Sequence, residues 1–473
     1  MLEGLEVNEI KLSSISENKD YRIDSQFYTK RLYKNLALNY IKIGKALKRS
    51  QYGLSIEMNE NSNGYPIYRM NEIHSMMCDL EVSKYACIKS EDFELFQLND
   101  RDVLFNRTNS FDFVGRTGLY KTHTNNQFIF ASYLVRFIPN QEYILPEYLT
   151  AFLNCKYGIA EVKRRARQSI NQTNVNPEEV KEIDIPLLDI KIQDKIKRCF
   201  DQAHSARIIS TSLYQEAEQM LLKELDLLDF KPLRENIAIK KLSESFAPTG
   251  RLDAEYYQPK YEEIVGRIKK YRCNFCELND LIIDYSTGYP YKSESYQDEG
   301  ISLIRINNIK SGILDLSNAT KIPYKDKNLS KKDIVKENDL LISMSGTIGS
   351  ACKIHKDIEA VVNQRIMRVT INNFSPDIAV LLINSFVGVI QLERIGTGGV
   401  QTNISANDIK QILIPLISTE LQQKIESKIQ QSFALRKESQ ELLDLAKKAV
   451  EVAIEQDEEV ALKLIEPYLT SEL

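Results

Sequence analysis

Nothing in this 473-residue chain approaches the ~18 consecutive apolar residues of a membrane-crossing helix. Met1-Leu2-Glu3-Gly4 has neither the cationic start nor the apolar core of a secretory signal, so a cytoplasmic location is expected. The seven cysteines are odd in number and scattered, which argues against a disulfide framework and for a reducing compartment. Cys273 and Cys276 form one CxxC, but no second pair or nearby histidine completes a zinc site, and no metal is expected. His74, His123, His204 and His355 are not spaced as a metal pair or a triad, which leaves histidine-based catalysis little to stand on. A net charge of −4 does not suit a protein that coats nucleic acid, although a local basic face would suffice for binding it.

What is present is a duplication. Sliding the chain by 229 positions takes Gln172-Thr173-Asn174 onto Gln401-Thr402-Asn403, and Ile183-Asp184-Ile185-Pro186-Leu187 onto Ile412-Leu413-Ile414-Pro415-Leu416. The same offset takes Arg22-Ile23-Asp24 onto Arg251-Leu252-Asp253, each before a charged helical run. Between these anchors short insertions shift the register. Tyr68-Arg69-Met70-Asn71-Glu72 answers Ile304-Arg305-Ile306-Asn307-Asn308, Asp102-Val103-Leu104-Phe105 answers Asp339-Leu340-Leu341-Ile342, and Ala131 to Phe137 answers Asn363 to Val369. The apolar runs are short enough to be buried strands, with polar, Gly-punctuated connections, so each half reads as an α+β globule.

Each half ends in a stretch with no Gly or Pro, Leu187 to Lys231 and Leu416 to Glu466, which predicts a long helix. A heptad seam runs through Ile192, Ile196, Cys199, Ala203, Ala206, Ser210, Leu213, Ala217 and Met220. The shift of 229 carries it onto Leu421, Ile425, Lys428, Ser432, Leu435, Ser439, Leu442, Ala446 and Ala449. Many of these are small, which suits close helix approach. If the two helices pack along their length, connectivity makes them antiparallel. The expected architecture is therefore α+β, two pseudo-symmetric globules with a pair of long antiparallel coiled-coil helices. The expected divisions are 1–188, a helix at 189–229, 230–417, a second helix at 418–456, and an acidic tail at 457–473.

An ordered series of motifs carries a family resemblance. The second half holds Asp339-Leu340-Leu341-Ile342-Ser343-Met344-Ser345-Gly346-Thr347-Ile348-Gly349, then Asn363-Gln364, then Gly398-Gly399-Val400-Gln401-Thr402-Asn403-Ile404-Ser405. The first half holds Asp102-Val103-Leu104-Phe105-Asn106-Arg107-Thr108-Asn109-Ser110, Val114-Gly115 and Gln172-Thr173-Asn174-Val175-Asn176 in the same places. Over almost the whole chain this series resembles the DNA specificity (S) subunit of type I restriction-modification systems. The first half departs from the pattern in a Phe111-Asp112-Phe113 insertion, and in Arg167-Gln168-Ser169-Ile170-Asn171 where the second has its glycine pair.

The resemblance implies a non-catalytic chain whose two target recognition domains each read one part of a split, asymmetric DNA site. It implies that the helices act as a ruler and as a platform for two adenine-N6 methyltransferase subunits, joined by restriction subunits with translocase and nuclease activity. S-adenosylmethionine, ATP and Mg would belong to those partners. Ile192, Ile196, Leu213, Leu421, Ile425 and Leu442 are the candidate partner contacts. A phosphate loop, a dinucleotide fingerprint and an amino-methyltransferase Pro-Pro-aromatic motif are all missing from the chain, in keeping with this. A related system with a fused methyltransferase-nuclease partner would give much the same sequence. A coiled-coil scaffold that does not bind DNA is the rival of a different class.

Residues common to two globules that read different half-sites cannot distinguish the bases, so they are expected to be scaffold or phosphate contacts. Readers are expected where the halves differ. The favoured readers are Arg107, Asn109, Arg165, Arg167 and Gln168 in the first half and Tyr289, Lys292, Ser345, Thr347 and Arg394 in the second. Arg116, Lys163, Arg164, Gly346, Gly398 and Gly399, with the shared Gln172 and Gln401, complete the candidate DNA contacts. Arginine and lysine can neutralise phosphates, arginine can read guanine, and amides can read adenine.

Overall fold

A computed structural model describes residues 7–16, 21–29, 34–170, 172–231, 237–310, 312–316, 319–326, 328–346, 349–396 and 403–469. The chain divides into two compact units, Met1–Ser210 with Ala434–Leu473, and Thr211–Phe433.

In the first unit Val103–Asn106 is buried on both faces, as its apolar sequence requires. It pairs antiparallel with Leu134–Pro139, which pairs on its other side with Leu47–Tyr52, and Thr117–Leu119, Met77–Cys78 and Ile73–His74 complete a six-stranded sheet. Alternation divides the side chains: Val103, Phe105, Val135 and Phe137 enter the core that holds helix Pro146–Asn154, while Leu104 and Leu134 enter a second core with Tyr68 and Phe130. A smaller sheet sets Tyr65–Tyr68 parallel to Ile129–Phe130 and antiparallel to Tyr85–Ala86. Helix Lys156–Arg165 follows directly on Pro146–Asn154.

The second unit repeats this plan with its own residues. Ile366–Ile371 lies between Ile282–Ser286 and Leu340–Ser343, Ala351–Lys353 closes the sheet, and Ile301–Ile304 runs parallel to Ala360–Val362. Helices Pro376–Asn384 and Phe386–Ile395 correspond to the helix pair of the first unit. At the second helix of each pair sits a glycine where a Cβ would meet the backbone of the first, 2.0 Å from the Phe152 carbonyl oxygen at Gly158 and 2.4 Å from that of Ile383 at Gly388. The strands expected to start at Ala131 and Asn363 start at Leu134 and Ile366, because Ser132-Tyr133 and Gln364-Arg365 turn first. Arg365 sits at φ 69° in that turn.

Buried charges repeat as well. Arg136 on Leu134–Pro139 meets Asp102 at 3.0 Å, and Arg368 on Ile366–Ile371 meets Asp339 at 3.1 Å. All four side chains are buried, and each aspartate also accepts a backbone N–H three residues before it, from Asn99 at 2.9 Å and from Lys336 at 2.8 Å. Burial holds the Asp102 carboxyl above its ordinary range even though Arg136 and the Asn99 amide pull the other way. Removing one partner of such a pair strands the other charge, a loss of about 3–5 kcal/mol.

The long helices run Ile190–Glu224 and Thr419–Glu455. In the first unit Ser439 Oγ donates to the Ala203 carbonyl at 2.8 Å, and the Asp189 amide donates to Glu458, just beyond the second helix, at 3.0 Å. In the second unit Lys428 meets Glu216 at 2.6 Å while Phe433 packs on Tyr214. Within each unit, then, rising numbers on one helix meet falling numbers on the other, and the two are antiparallel. Of the predicted seam, Ile192, Ile196, Cys199, Ala203, Ala206, Ser210 and Ala217 are buried, as are Ile425, Ser432, Ser439, Leu442, Ala446 and Ala449.

Four of the six expected partner contacts are buried. Ile192, Ile196, Ile425 and Leu442 lie inside the chain's own cores at 0%, 0%, 0% and 5% exposure, so their apolar surface is not presented to another subunit. Leu213 and Leu421 are half-buried. The acidic C-terminal stretch contains a packed helix. Asp457 caps a helix Glu458–Ile465, and Ala461 and Ile465 are buried in the core of the first unit. Among the described residues no single helix is long and apolar enough to cross a membrane. The bent pair Pro376–Asn384 and Phe386–Ile395, apolar enough by composition, supplies core residues of the second unit.

Candidate nucleic-acid interface

The same short ladder builds the candidate surface in both units. In the first, Arg167–Gln168 pairs with Thr173–Asn174, which pairs with Thr108–Asn109. The Val175 amide donates to the Arg107 carbonyl at 2.9 Å, and the Arg107 amide donates to Tyr133 at 3.0 Å. In the second unit Asn403 bridges to Ser345, the Ile404 amide donates to Met344 at 2.9 Å, and the Met344 amide donates to Arg365 at 2.9 Å. Hence Asn174 corresponds to Asn403, Arg107 to Met344, and Tyr133 to Arg365.

Arg107 spans this surface in the first unit. Its Nε donates to the Ser132 carbonyl at 3.1 Å, a terminal nitrogen reaches Asn174 Oδ1 at 3.5 Å, and the guanidinium lies 5.2 Å from the centre of the Tyr52 ring. Gln168 and Gln172 are exposed beside it. Asn109 is half-buried and uses its Oδ1 on the Ser110 amide, and Arg116 stacks over Phe113 at 4.0 Å. Arg167 is 53% exposed and meets Glu179 at 2.8 Å.

The rest of the basic run is not a cationic face. Arg164 and Arg165 are each 5% exposed, both bonded to Glu161, and Arg164 donates to the Phe27 carbonyl at 2.6 Å. Burial lowers the Arg165 pKa, and Glu161 sits below its ordinary range because these two cations outweigh its own burial. Lys163 turns inward to the carbonyls of Phe111 and Val114, and burial brings its ammonium down to about 8 against the pull of Asp112. These three were expected on the DNA side because they are consecutive cations. A helix, however, turns some of any consecutive run toward the core, and here the core supplies Glu161 and the Phe27 carbonyl to receive them.

Arg394 is a similar case in the second unit, 17% exposed, bonded to the Tyr256 carbonyl at 3.2 Å and 3.7 Å from Glu262. The surface there is instead a cleft of about 530 Å³ that includes Arg305, Asn307, Gly346, Asn363, Gln364 and Arg365. Gly346 takes φ 76° in the turn that forms one wall. Ser345 is buried, Tyr289 is 39% exposed with its carbonyl accepting the Gln364 amide at 3.2 Å, and Lys292 is exposed. Thr347, Gly398, Gly399 and Gln401 lie outside the described residues.

The Arg-x-Asp shared by both halves has a definite task. Arg22 forks onto Asp24 at 2.7 and 3.0 Å and donates at 3.0 Å to the carbonyl of Arg165, the last residue of its helix. Arg251 forks onto Asp253 at 2.8 and 2.7 Å and donates at 3.1 Å to Ile395, again the last residue of the helix. Each therefore caps the helix that delivers the chain into a segment where the halves differ. Its role is scaffold.

A family model described as the type I restriction modification DNA specificity domain matches residues 273–444. The chain is 23% identical to the putative type I restriction enzyme MjaX specificity subunit of Methanocaldococcus jannaschii, over 90% of this chain and 96% of that one. Residues 273–444 therefore match a type I restriction-modification DNA specificity domain, and the chain is similar to a specificity subunit along nearly its whole length. It is also 26% identical to the EcoKI specificity subunit of Escherichia coli, over 32% of each chain. A crystal structure of a type I S subunit from M. genitalium is similar at 13% identity and a TM-score of 0.37, covering 93% of this chain and 99% of that one.

DNA recognition follows for a type I specificity chain, and specificity subunits are non-catalytic by family. Among the described residues no group of three or more His, Cys, Asp or Glu could hold a metal. Two residues escaped the sequence reading, Arg365 and Arg305. Arg365 follows directly on the Asn363-Gln364 motif, and Arg305 belongs to a matched segment. The overlooked signal was that Glu72 of that segment becomes Asn308.

Proposed function

We propose that each unit reads one half of a bipartite, asymmetric DNA site, and that the antiparallel helices fix the spacing between half-sites and dock two adenine-N6 methyltransferase subunits. Restriction subunits join that assembly. S-adenosylmethionine, ATP and Mg are bound by the partners and not by this chain. The observation that carries the reading is the contrast between a repeated frame and unlike loops. The buried Arg–Asp pair and the helix-capping Arg-x-Asp recur in both units, whereas Arg107 to Arg116 and Met344 to Gly349 differ in length and chemistry. A frame that repeats while its loops diverge suits a protein that presents two different half-sites with one geometry.

The test is binding by the chain assembled with its modification partner. Duplexes carry both half-sites, one alone, or both with the spacer lengthened by one base pair. Tight binding is expected only with both half-sites at the native spacing. Equal binding at all spacings would overturn the ruler, and equal binding of one half-site would overturn the two-part reading.

A further inference from the structure

The asparagine common to both units meets an arginine in each, but the arginine comes from a different place in the chain. In the first unit Asn174 Oδ1 accepts from Arg107. In the second Asn403 Oδ1 accepts from Arg365 at 2.5 Å. The counterpart of Arg107 is Met344 and the counterpart of Arg365 is Tyr133, by the backbone hydrogen bonds that define the ladder. Duplication explains the two asparagines. It does not explain two arginines reaching them from unrelated positions.

Nor does internal stability explain them. Among the described residues neither Arg107 nor Arg365 has a carboxylate within ion-pair distance, and Asn174 and Asn403 offer only neutral amides, which orient a guanidinium without cancelling its charge. Arg365 is exposed and engages Asn403 through one terminal nitrogen alone, which leaves Nε and the other terminal nitrogen available as a fork. Arg107 gives its Nε to the Ser132 carbonyl and reaches Asn174 with one terminal nitrogen at 3.5 Å, which leaves the terminal pair to present, and its guanidinium lies by Tyr52, which is 47% exposed. A planar pair of donors with no carboxylate of its own matches O6 and N7 of guanine in the major groove.

We propose that Asn174 and Asn403 are positioning residues, that each orients one specificity-determining arginine, Arg107 in the first unit and Arg365 in the second, and that each arginine takes the major-groove edge of a guanine. This rests on the reading of the chain as a DNA specificity subunit. It explains how one frame accepts different half-sites, since the amide stays fixed while the strand that supplies the guanidinium changes.

Selection from a pool of randomised duplexes by the assembled complex tests it. Wild type is expected to return a consensus of two parts. Arg365→Ala should erase the preference for guanine at one base pair of one part, a loss of roughly ten- to a hundredfold in discrimination, and leave the other part untouched. Arg107→Ala should do the same in the other part only. Arg365→Lys, which keeps the charge and loses the fork, should behave like Arg365→Ala. Asn403→Ala should weaken discrimination at the base pair that Arg365 controls, with thermal unfolding unchanged. An Arg365→Ala consensus identical to wild type, or an equal loss of affinity for every sequence, overturns the proposal while leaving DNA recognition standing. No consensus from wild type overturns both. An Asn403→Ala variant with full discrimination overturns the positioning role.

Discussion

Arg69 and Arg305 occupy corresponding positions, begin the same turn, and end with opposite electrostatic consequences. The Arg69 amide donates to Glu72 at 2.8 Å and its guanidinium meets the same carboxylate at 2.5 Å, so its charge is cancelled where it sits. The Arg305 amide donates to Asn308 at 2.8 Å, which preserves the turn, yet Asn308 brings no charge and no carboxylate lies within ion-pair distance among the described residues. The backbone role of the acidic residue is kept and its electrostatic role is dropped. The cleft of the second unit therefore gathers two uncancelled cations, Arg305 and Arg365, whereas the first unit presents Arg107 from a different position. At this turn the units diverge by one substitution while the backbone hydrogen bond is kept.

The largest effect should come from breaking what the units share. Arg136→Ala and Arg368→Ala each strand a buried aspartate, and each should destabilise its own unit by about 3–5 kcal/mol, measured by chemical unfolding. Comparable losses would sharpen the view that the frame is one design used twice, and a near-neutral result in either would break it. Next in size is the fork that caps the helix. Arg22 is 8% exposed and also meets Glu179 at 3.0 Å, whereas Arg251 is 28% exposed. Arg22→Ala should cost about 1.5–3 kcal/mol and Arg251→Ala less, because hydrogen bonds to a charged group matter more where water is excluded.

Smaller again is the effect of one uncancelled cation in the cleft. Arg305→Ala should weaken binding uniformly across sequences and reduce the salt dependence by about one counterion, while Arg69→Ala, already neutralised, should leave the slope unchanged. An equal change in both would remove the electrostatic distinction between the units. The last effect is confined to acid pH and to stability. His204 is buried in the first unit, and its pKa falls to about 4 through burial, with Lys121, Arg207 and His123 acting in the same direction. Between pH 4 and 6.5 the unfolded chain binds the proton and the folded chain does not, so stability is complete above 6.5 and declines as pH falls toward 4. His204→Phe should flatten that decline in a thermal scan across pH, and an unaltered slope would assign it to other groups.

Much of the frame was legible in the sequence because the chain contains its own comparison. Gln-Thr-Asn and Arg-x-Asp recur at one offset, and the heptad residues share a register that the buried seam reproduces. The α+β character followed from short apolar runs, and antiparallel helices followed from connectivity. The candidate surface was less legible. Lys163, Arg164 and Arg165 look like a basic patch in one dimension, yet the helix points them at Glu161, Phe111 and the Phe27 carbonyl. Arg365 stands between Gln364 and Ile366 rather than in a basic run, and only folding brings it to Asn403 and Arg305. Consecutive charge records composition, whereas a reading surface is assembled from residues far apart in the chain.

The central claim, that one frame presents two independent readers, is tested most directly by exchanging Ser286 to Val400 with the same region of a family relative and mapping the sites bound by the assembled complex. The account predicts a new sequence in one half-site with the other half-site and the spacer retained. A change in both half-sites, or in neither, would contradict it.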